Sequence, residues 1–217
     1  MTKGNLHVAV IPDGARRWAR KTGSGLREAY QLSFEILALL VKELHAGGCA
    51  EVSVYCLSRE NLSRSPADLE AFYGSLNILT QMVNNLSSDG VCRSCRLVGD
   101  VNALPEAAQN ALKGIDSNKS TSGGVKLNLL VCYDGWDEIR DAVRREGANV
   151  NLNSLWIRTR VDAIIRTGGG ILLSGMLPLQ SQYAQLIVTE MLFNELSRDE
   201  IQRLVKHAIS VTHQFGR

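Results

Sequence analysis

The sequence predicts an α/β protein of one domain, with six strands in a central, mainly parallel sheet surrounded by helices. Short apolar runs alternate with longer stretches of helical periodicity along the chain, and that alternation makes the helices the crossovers between parallel strands. The first strand passes through Pro-Asp-Gly straight into a helix. The 217 residues, 45% hydrophobic and 21% charged, suffice for one continuous core.

The opening strand covers 7–11, where His7-Val8-Ala9-Val10-Ile11 is short and apolar and Pro12 stops it. Gly14 permits a tight exit into a helix over 14–21. The first amides of that helix, at Ala15, Arg16 and Arg17, lack internal partners and carry the positive end of its dipole. Arg16, Arg17, Arg20 and Lys21 gather cations at the same corner, and Asp13 is placed to hold a divalent cation against bound phosphate oxygens. The plainer alternative is that Asp13 caps the helix and the arginines form a solvated face.

A helix over 28–46 follows, with Leu32, Ile36, Leu39, Leu40 and Leu44 as its apolar stripe, and then a strand over 51–57. The next helix spans 67–86, with Leu69, Phe72, Leu76, Leu79, Met82 and Val83 at helical spacing. A strand at 95–100, a helix at 105–114, a polar surface loop from Asp116 to Gly124 and a strand at 125–132 come next. A helix at 136–147 opens on Asp134-Gly135-Trp136-Asp137-Glu138, which reads as capping and dipole compensation rather than a paired-carboxylate metal site. Helices at 152–159, about 175–183 and 198–213, with strands at 162–166 and 186–190, complete the alternation. The apolar run Leu186, Ile187, Val188, Met191, Leu192 and Phe193 reads either as a buried strand or as surface offered to a second copy.

Composition narrows the function. A net charge of +2 is too small to argue for nucleic acid, so the arginines matter as a local patch. No apolar run approaches the roughly 18 residues that cross a bilayer. The first strand begins so early that a signal peptide is not expected, and five cysteines, an odd number, suit a reducing cytoplasm. Cys92 and Cys95 form one CxxC, but zinc would need a second pair.

Read whole, residues 11–19 resemble the strand-x-DGNxRWA opening of the cis-prenyltransferases, the family of undecaprenyl and dehydrodolichyl diphosphate synthases. Asp13, Gly14, Arg17, Trp18 and Ala19 match, while Ala15 replaces the family's Asn. Four further blocks agree in order. Tyr55 to Arg64, with Ser58, Asn61 and Arg64, resembles Y-x-F-S-x-E-N-W-x-R, and Leu97 to Asp100 resembles the I-G-D strand end. Leu127-Asn128 through Ile139 resembles L-N-x-A-x-N-Y-G-G-R-x-E-I, and Asp162 to Gly169 resembles D-L-x-I-R-T-G-G. The ending, His213-Gln214-Phe215-Gly216, is similar to R-R-F-G.

The resemblance implies a prenyl diphosphate synthase using Mg²⁺ on Asp13, a hydrophobic tunnel walled by two helices, and a homodimer. It also implies diphosphate contacts at Gly14, Ala15, Arg16, Arg17, Trp18, Tyr30, Arg64, Arg166, Ser174 and Gly216, with Ser58 and Asn61 organising proton loss or the acceptor. The departures lie in the cage for isopentenyl diphosphate, R-T-G-G-E-x-R-x-S-N. Arg166 and Ser174 are kept, but Gly170, Leu172 and Gly175 replace Glu, Arg and Asn, and Gln214 replaces a late Arg. Gln185 stands where the family has an acid linked to the metal, Tyr30 where it has a donor-side His, and a donor Arg aligns with Leu26 or is displaced to Arg27. Losing charge-assisted bidentate contacts rebuilds the acceptor site. This pattern resembles the lavandulyl-type branch, which joins two allylic diphosphates, dimethylallyl with dimethylallyl or geranyl, in an irregular head-to-middle bond. Ordinary short-chain cis elongation, or a non-catalytic scaffold subunit of a prenyltransferase complex, are the alternatives.

Overall fold

The computed structural model describes residues 6–115 and 123–210. Its centre is one six-stranded sheet in the order β3-β4-β2-β1-β5-β6, with every pairing parallel. The strands are β1 (His7–Ile11), β2 (Glu51–Ser58), β3 (Cys92–Val98), β4 (Val125–Tyr133), β5 (Ala163–Arg166) and β6 (Gln185–Val188). The helices are α1 (Ala15–Thr22), α2 (Leu26–Ala46), α3 (Pro66–Tyr73), α4 (Leu76–Ser88), α5 (Glu106–Leu112), α6 (Gly135–Glu146) and α7 (Arg198–Ile209).

β1 is buried along its whole length and paired on both sides, with Val8 opposite Val52 on β2 and Ala163 on β5. Its unbroken apolar run follows from that double cover, since both faces of a parallel sheet are packed. Val8 and Val10 join the larger cluster with α2, α4 and α7, and Ala9 and Ile11 join the smaller one with Leu130, Tyr133, Ile157 and Met176. The α2 and α4 stripes meet in the larger cluster, where Leu40, Leu44, Leu76, Leu79 and Val83 are fully buried. Each such side chain contributes about 1.5–3 kcal/mol of transfer free energy. A groove of about 200 Å³ opens between these helices, lined in part by Phe34, Ala38, Ile78, Met82 and Leu86.

Three helical expectations are corrected. The helix expected over 67–86 is two helices, α3 and α4, separated at Gly74-Ser75. There the Ser75 hydroxyl donates to the Phe72 carbonyl (2.6 Å), satisfying the backbone locally instead of continuing the helix. The helix expected at 152–159 is a single tight turn, Leu152–Ser154, followed by extended chain. Side chains take over its backbone partners: Asn151 caps the Asn153 amide, and the Ile157 amide donates to buried Glu138 (3.1 Å). At 175–183 there are turns and no helix, because Gly175 and Leu177 hold positive φ (77° and 46°) and Pro178 follows. Residues 211–213 of the last expected helix and most of the Asp116–Gly124 loop lie outside the described residues. The apolar run at 186–193 is partly interior: Ile187, Leu192 and Phe193 are buried, while Leu186, Val188 and Met191 are half-buried.

Across the amino ends of the strands runs a buried polar seam. Asn128 donates to Glu51 Oε1 (2.7 Å) and Ser53 Oγ (2.9 Å), and Thr159 and Lys126 also bind Glu51. His7 bridges Ser53 Oγ (2.8 Å) and the Arg160 carbonyl (3.1 Å), a pairing met by a neutral ring protonated on Nδ1. Burial holds the His7 pKa below 6.5, despite the nearby Glu51 and Asp162 carboxylates. Asn128, part of one resemblance block, is thus a structural residue of this seam.

Candidate active site

At the opposite end, a cleft of about 560 Å³ opens where the chain leaves the carboxyl ends of β1, β2 and β5. β1 lies between β2 and β5, so chain connections depart to either side of it, and such switch points are where parallel sheets leave a crevice. The cleft gathers Asp13, Gly14, Ala15, Arg16, Arg17, Tyr30, Ser58, Asn61, Arg64, Arg166 and Ser174 from segments far apart in sequence. Trp18 is half-buried on α1 and does not line it, and Gly216 and Gln214 lie outside the described residues.

Asp13 is not a helix cap. Gly14 occupies the cap position of α1 at φ 129°, with no side-chain cap bond, so the first turn is left open to the cleft. A Cβ on Gly14 would come within 2.8 Å of Leu192 Cβ, which makes glycine the residue that fits. The Asp13 backbone is pinned by Thr167, whose hydroxyl accepts from its amide (2.9 Å) and donates to its carbonyl (2.8 Å), and by the Phe193 amide (3.0 Å). Its carboxylate stands between two guanidinium groups, Arg17 at 3.3 Å and Arg166 at 3.5 Å. Arg17 also donates to the Gly168 carbonyl (3.0 Å); a side chain on Gly168, at φ 77°, would fall on that guanidinium.

Five arginines, at 16, 17, 20, 64 and 166, line the cleft against two carboxylates, Asp13 and Glu60. That excess of guanidinium suits a polyanion such as a diphosphate. Tyr30 is buried, and burial raises its phenol pKa, while Arg64 and Arg16 beside it pull the other way. Burial in turn lowers the Arg64 pKa. Behind Tyr30, Phe72 meets its ring edge-on at 5.3 Å, so the cleft ends against apolar helix faces. Ser58 accepts from the Asn61 amide (3.1 Å) and so shapes the Glu60–Ser63 turn that carries Asn61 and leads to Arg64. Arg59 anchors that turn outward, to Asp100 (3.3 Å) and Asp137 (2.9 Å).

Other sequence-stated residues sit elsewhere. Arg27 packs against Gly74 at the α3–α4 junction and does not line the cleft. Gln185 opens β6 beside His207 on α7, also away from the cleft. Asp134 caps α6 through the Trp136 amide (2.7 Å), and Glu138 is buried in bonds to Tyr133, Gln180 and the Ile157 amide. Cys92 and Cys95 are buried along β3. Among the described residues, no cluster of three or more His, Cys, Asp or Glu side chains is arranged to hold a metal.

Sequence reasoning missed Tyr55, Cys56, Glu60 and Ser63 in the cleft lining. A shift of register between Tyr55 and Leu57 breaks the strict alternation of β2, so the consecutive residues Tyr55 and Cys56 both reach the cleft. Burial pushes the Tyr55 phenol and the Cys56 thiol each up to about 12, so both are neutral near pH 7.

An arginine-rich cleft at the switch point of a parallel α/β sheet, with apolar helices behind it, has the charge and shape that suit a phosphorylated, partly apolar small molecule. The undecaprenyl diphosphate synthase family model matches residues 11–216. The chain therefore belongs to that family, the cis-prenyltransferases, and is a prenyl diphosphate synthase. It is 29% identical to a short-chain Z-isoprenyl diphosphate synthase of Mycobacterium bovis and to a (2Z,6E)-farnesyl diphosphate synthase of Mycobacterium tuberculosis, covering 97% of this chain and 87% of each relative. Its fold is that of the lavandulyl diphosphate synthase from Lavandula x intermedia, solved with dimethylallyl diphosphate (TM-score 0.87, 21% identity, covering 97% of this chain and 98% of the other). No helix among the described residues is long and apolar enough to cross a membrane.

Proposed function

We propose that this enzyme joins two allylic diphosphates, dimethylallyl with dimethylallyl or geranyl, by head-to-middle coupling, releasing pyrophosphate and leaving a short branched prenyl diphosphate. The observation that carries this reading is the chain beyond β5. Arg166 is followed by Gly170, and then by Ile171 and Leu172, which are 76% and 68% exposed. This segment therefore offers an acceptor Arg166 and no second arginine, where the family's cage would add one. Isopentenyl diphosphate attacks through its terminal CH₂, whereas dimethylallyl diphosphate attacks through an internal carbon nearer its phosphates. The second acceptor must therefore sit deeper or turned over, which loose anchoring permits.

On the donor side, Arg16, Arg17, Arg64 and the first amides of α1 hold the diphosphate and stabilise it as it departs. Tyr30, kept protonated by burial, donates to it rather than acting as a base. The donor's apolar chain runs toward Tyr30, Phe72 and the α2 face, which exclude water from the developing cation. One half-exposed carboxylate, Asp13, suits Mg²⁺, which is commonly held by one or two carboxylates together with substrate phosphates. Bound there, the ion would neutralise charge on the leaving pyrophosphate.

The names of the mycobacterial relatives favour a second reading, ordinary short-chain cis elongation with isopentenyl diphosphate. The test is to incubate the protein and Mg²⁺ with dimethylallyl, geranyl and isopentenyl diphosphates singly and in pairs, then identify the dephosphorylated alcohols by mass spectrometry and NMR. Branched alcohols from dimethylallyl diphosphate alone support the proposal. Linear cis alcohols that require isopentenyl diphosphate replace it with the second reading.

A further inference from the structure

Gly170 differs from its glycine neighbours. Gly168 and Gly169 have positive φ, which favours glycine on backbone grounds, whereas Gly170 is not among the positive-φ residues. What fills its side-chain position is Arg166: a Cβ built on Gly170 would lie 2.5 Å from Nε and 2.6 Å from Nη2 of that residue. Arg166 is folded back over its own following loop, where Nη1 donates to the Leu172 carbonyl and to Ser174 Oγ (2.9 Å). Only 8% of its side chain is exposed. Its Nε, the atom nearest the Gly170 position, is buried and makes no hydrogen bond.

From these contacts we propose that Gly170 is a specificity-determining residue, which keeps Arg166 retracted and so withholds a bidentate grip from the diphosphate of the second substrate. The proposal deepens, and rests on, the loose acceptor site argued above. The atoms a Cβ would meet belong to the far end of a flexible side chain, so a methyl group at 170 displaces the guanidinium without requiring the backbone to move. Asp13, whose carboxylate faces Nη2 at 3.5 Å in the cleft, marks the open direction. There the orphaned Nε can find phosphate oxygens, and a guanidinium free to fork onto them fixes the acceptor in one pose.

The test compares wild type with Gly170→Ala, measuring kcat/KM for isopentenyl and for dimethylallyl diphosphate as acceptors against one fixed donor, and inorganic pyrophosphate binding by calorimetry. Gly170→Ala should raise the isopentenyl-to-dimethylallyl ratio by about tenfold and tighten pyrophosphate binding by a similar factor, the scale of one added charge-assisted contact. In an Arg166→Met background the same substitution should change neither quantity, because the group it displaces is gone. An unchanged ratio in Gly170→Ala, or an equal change with and without Arg166, overturns the inference. If Gly170→Ala fails to fold by circular dichroism, Ser174→Ala, which unties the guanidinium without adding a Cβ, must shift the ratio the same way, and a shift toward dimethylallyl diphosphate overturns the inference. A wild type that uses only isopentenyl diphosphate refutes the allylic-acceptor reading and leaves the pyrophosphate and double-substitution arms to decide the role of Gly170.

Discussion

Asp13 is held more tightly by its backbone than by its carboxylate: Thr167 and Phe193 fix the main chain, while two guanidinium groups share the side chain. Asp13→Ala should therefore leave the fold intact by circular dichroism and lower kcat on the order of a hundredfold or more, the size of losing a main stabiliser of departing charge. EDTA should reproduce the loss in wild type, and a variant keeping more than about a tenth of the rate would show that Asp13 is not the metal's anchor. Tyr30 makes a different demand. With burial holding its phenol protonated, Tyr30→Phe should raise the donor KM by roughly tenfold and leave kcat within about threefold, as expected for a lost hydrogen bond to a charged group. A collapse of kcat with unchanged KM would instead make Tyr30 part of the proton-transfer chemistry. At this scale Asp13, Gly14 and Arg17 were legible from residue chemistry and spacing, whereas Ser58 and Arg166 were reached only through the family resemblance. Tyr55 and Cys56 were missed, because a register shift against β4 has no local sequence signal.

The strands and the longer helices were legible because their burial is periodic. α2 and α4 present apolar stripes at helical spacing, and β1 is one apolar run. The segments misread as helix, 152–159 and 175–183, have their backbone groups satisfied by distant side chains or turned by positive φ, which no local pattern encodes. The seam at the amino ends of β1, β2 and β4 carries a pH dependence. The His7 pKa is lowered in the folded protein, so below 6.5 the unfolded chain binds more protons than the native one. Stability from this group is present above 6.5 and is lost as pH falls through that value toward the lowered folded pKa. The melting temperature should accordingly drop as pH is lowered below about 6.5, and a variant lacking the imidazole should show a flatter profile there. A wild-type profile that is flat there would mean that His7 takes up its proton equally in the folded and unfolded states.

For the molecule as a whole, β6 is a short edge strand with one side unpaired among the described residues, and Leu186, Val188 and Met191 stay half-buried in the single chain. We expect homodimerisation across an apolar surface that includes these residues. Sedimentation at micromolar concentration should give twice 23.8 kDa, and a stable species of 23.8 kDa would refute the dimer. The sheet order also sets a timetable for synthesis. The central strand is made first, yet one of its two partners, β5, comes near the end, and the bonded pair His7 and Asp162 lies 155 positions apart. At translation rates of about 5–20 residues per second, β1 waits roughly 8–30 seconds on the ribosome with one edge open. A fragment ending before β5 has that edge permanently exposed and should accumulate as aggregate or chaperone-bound chain. The strand that delivers Asp13 is thus flanked on both sides only when the strand that delivers Arg166 arrives, so the arginine-lined cleft of a nascent chain is completed in one late step.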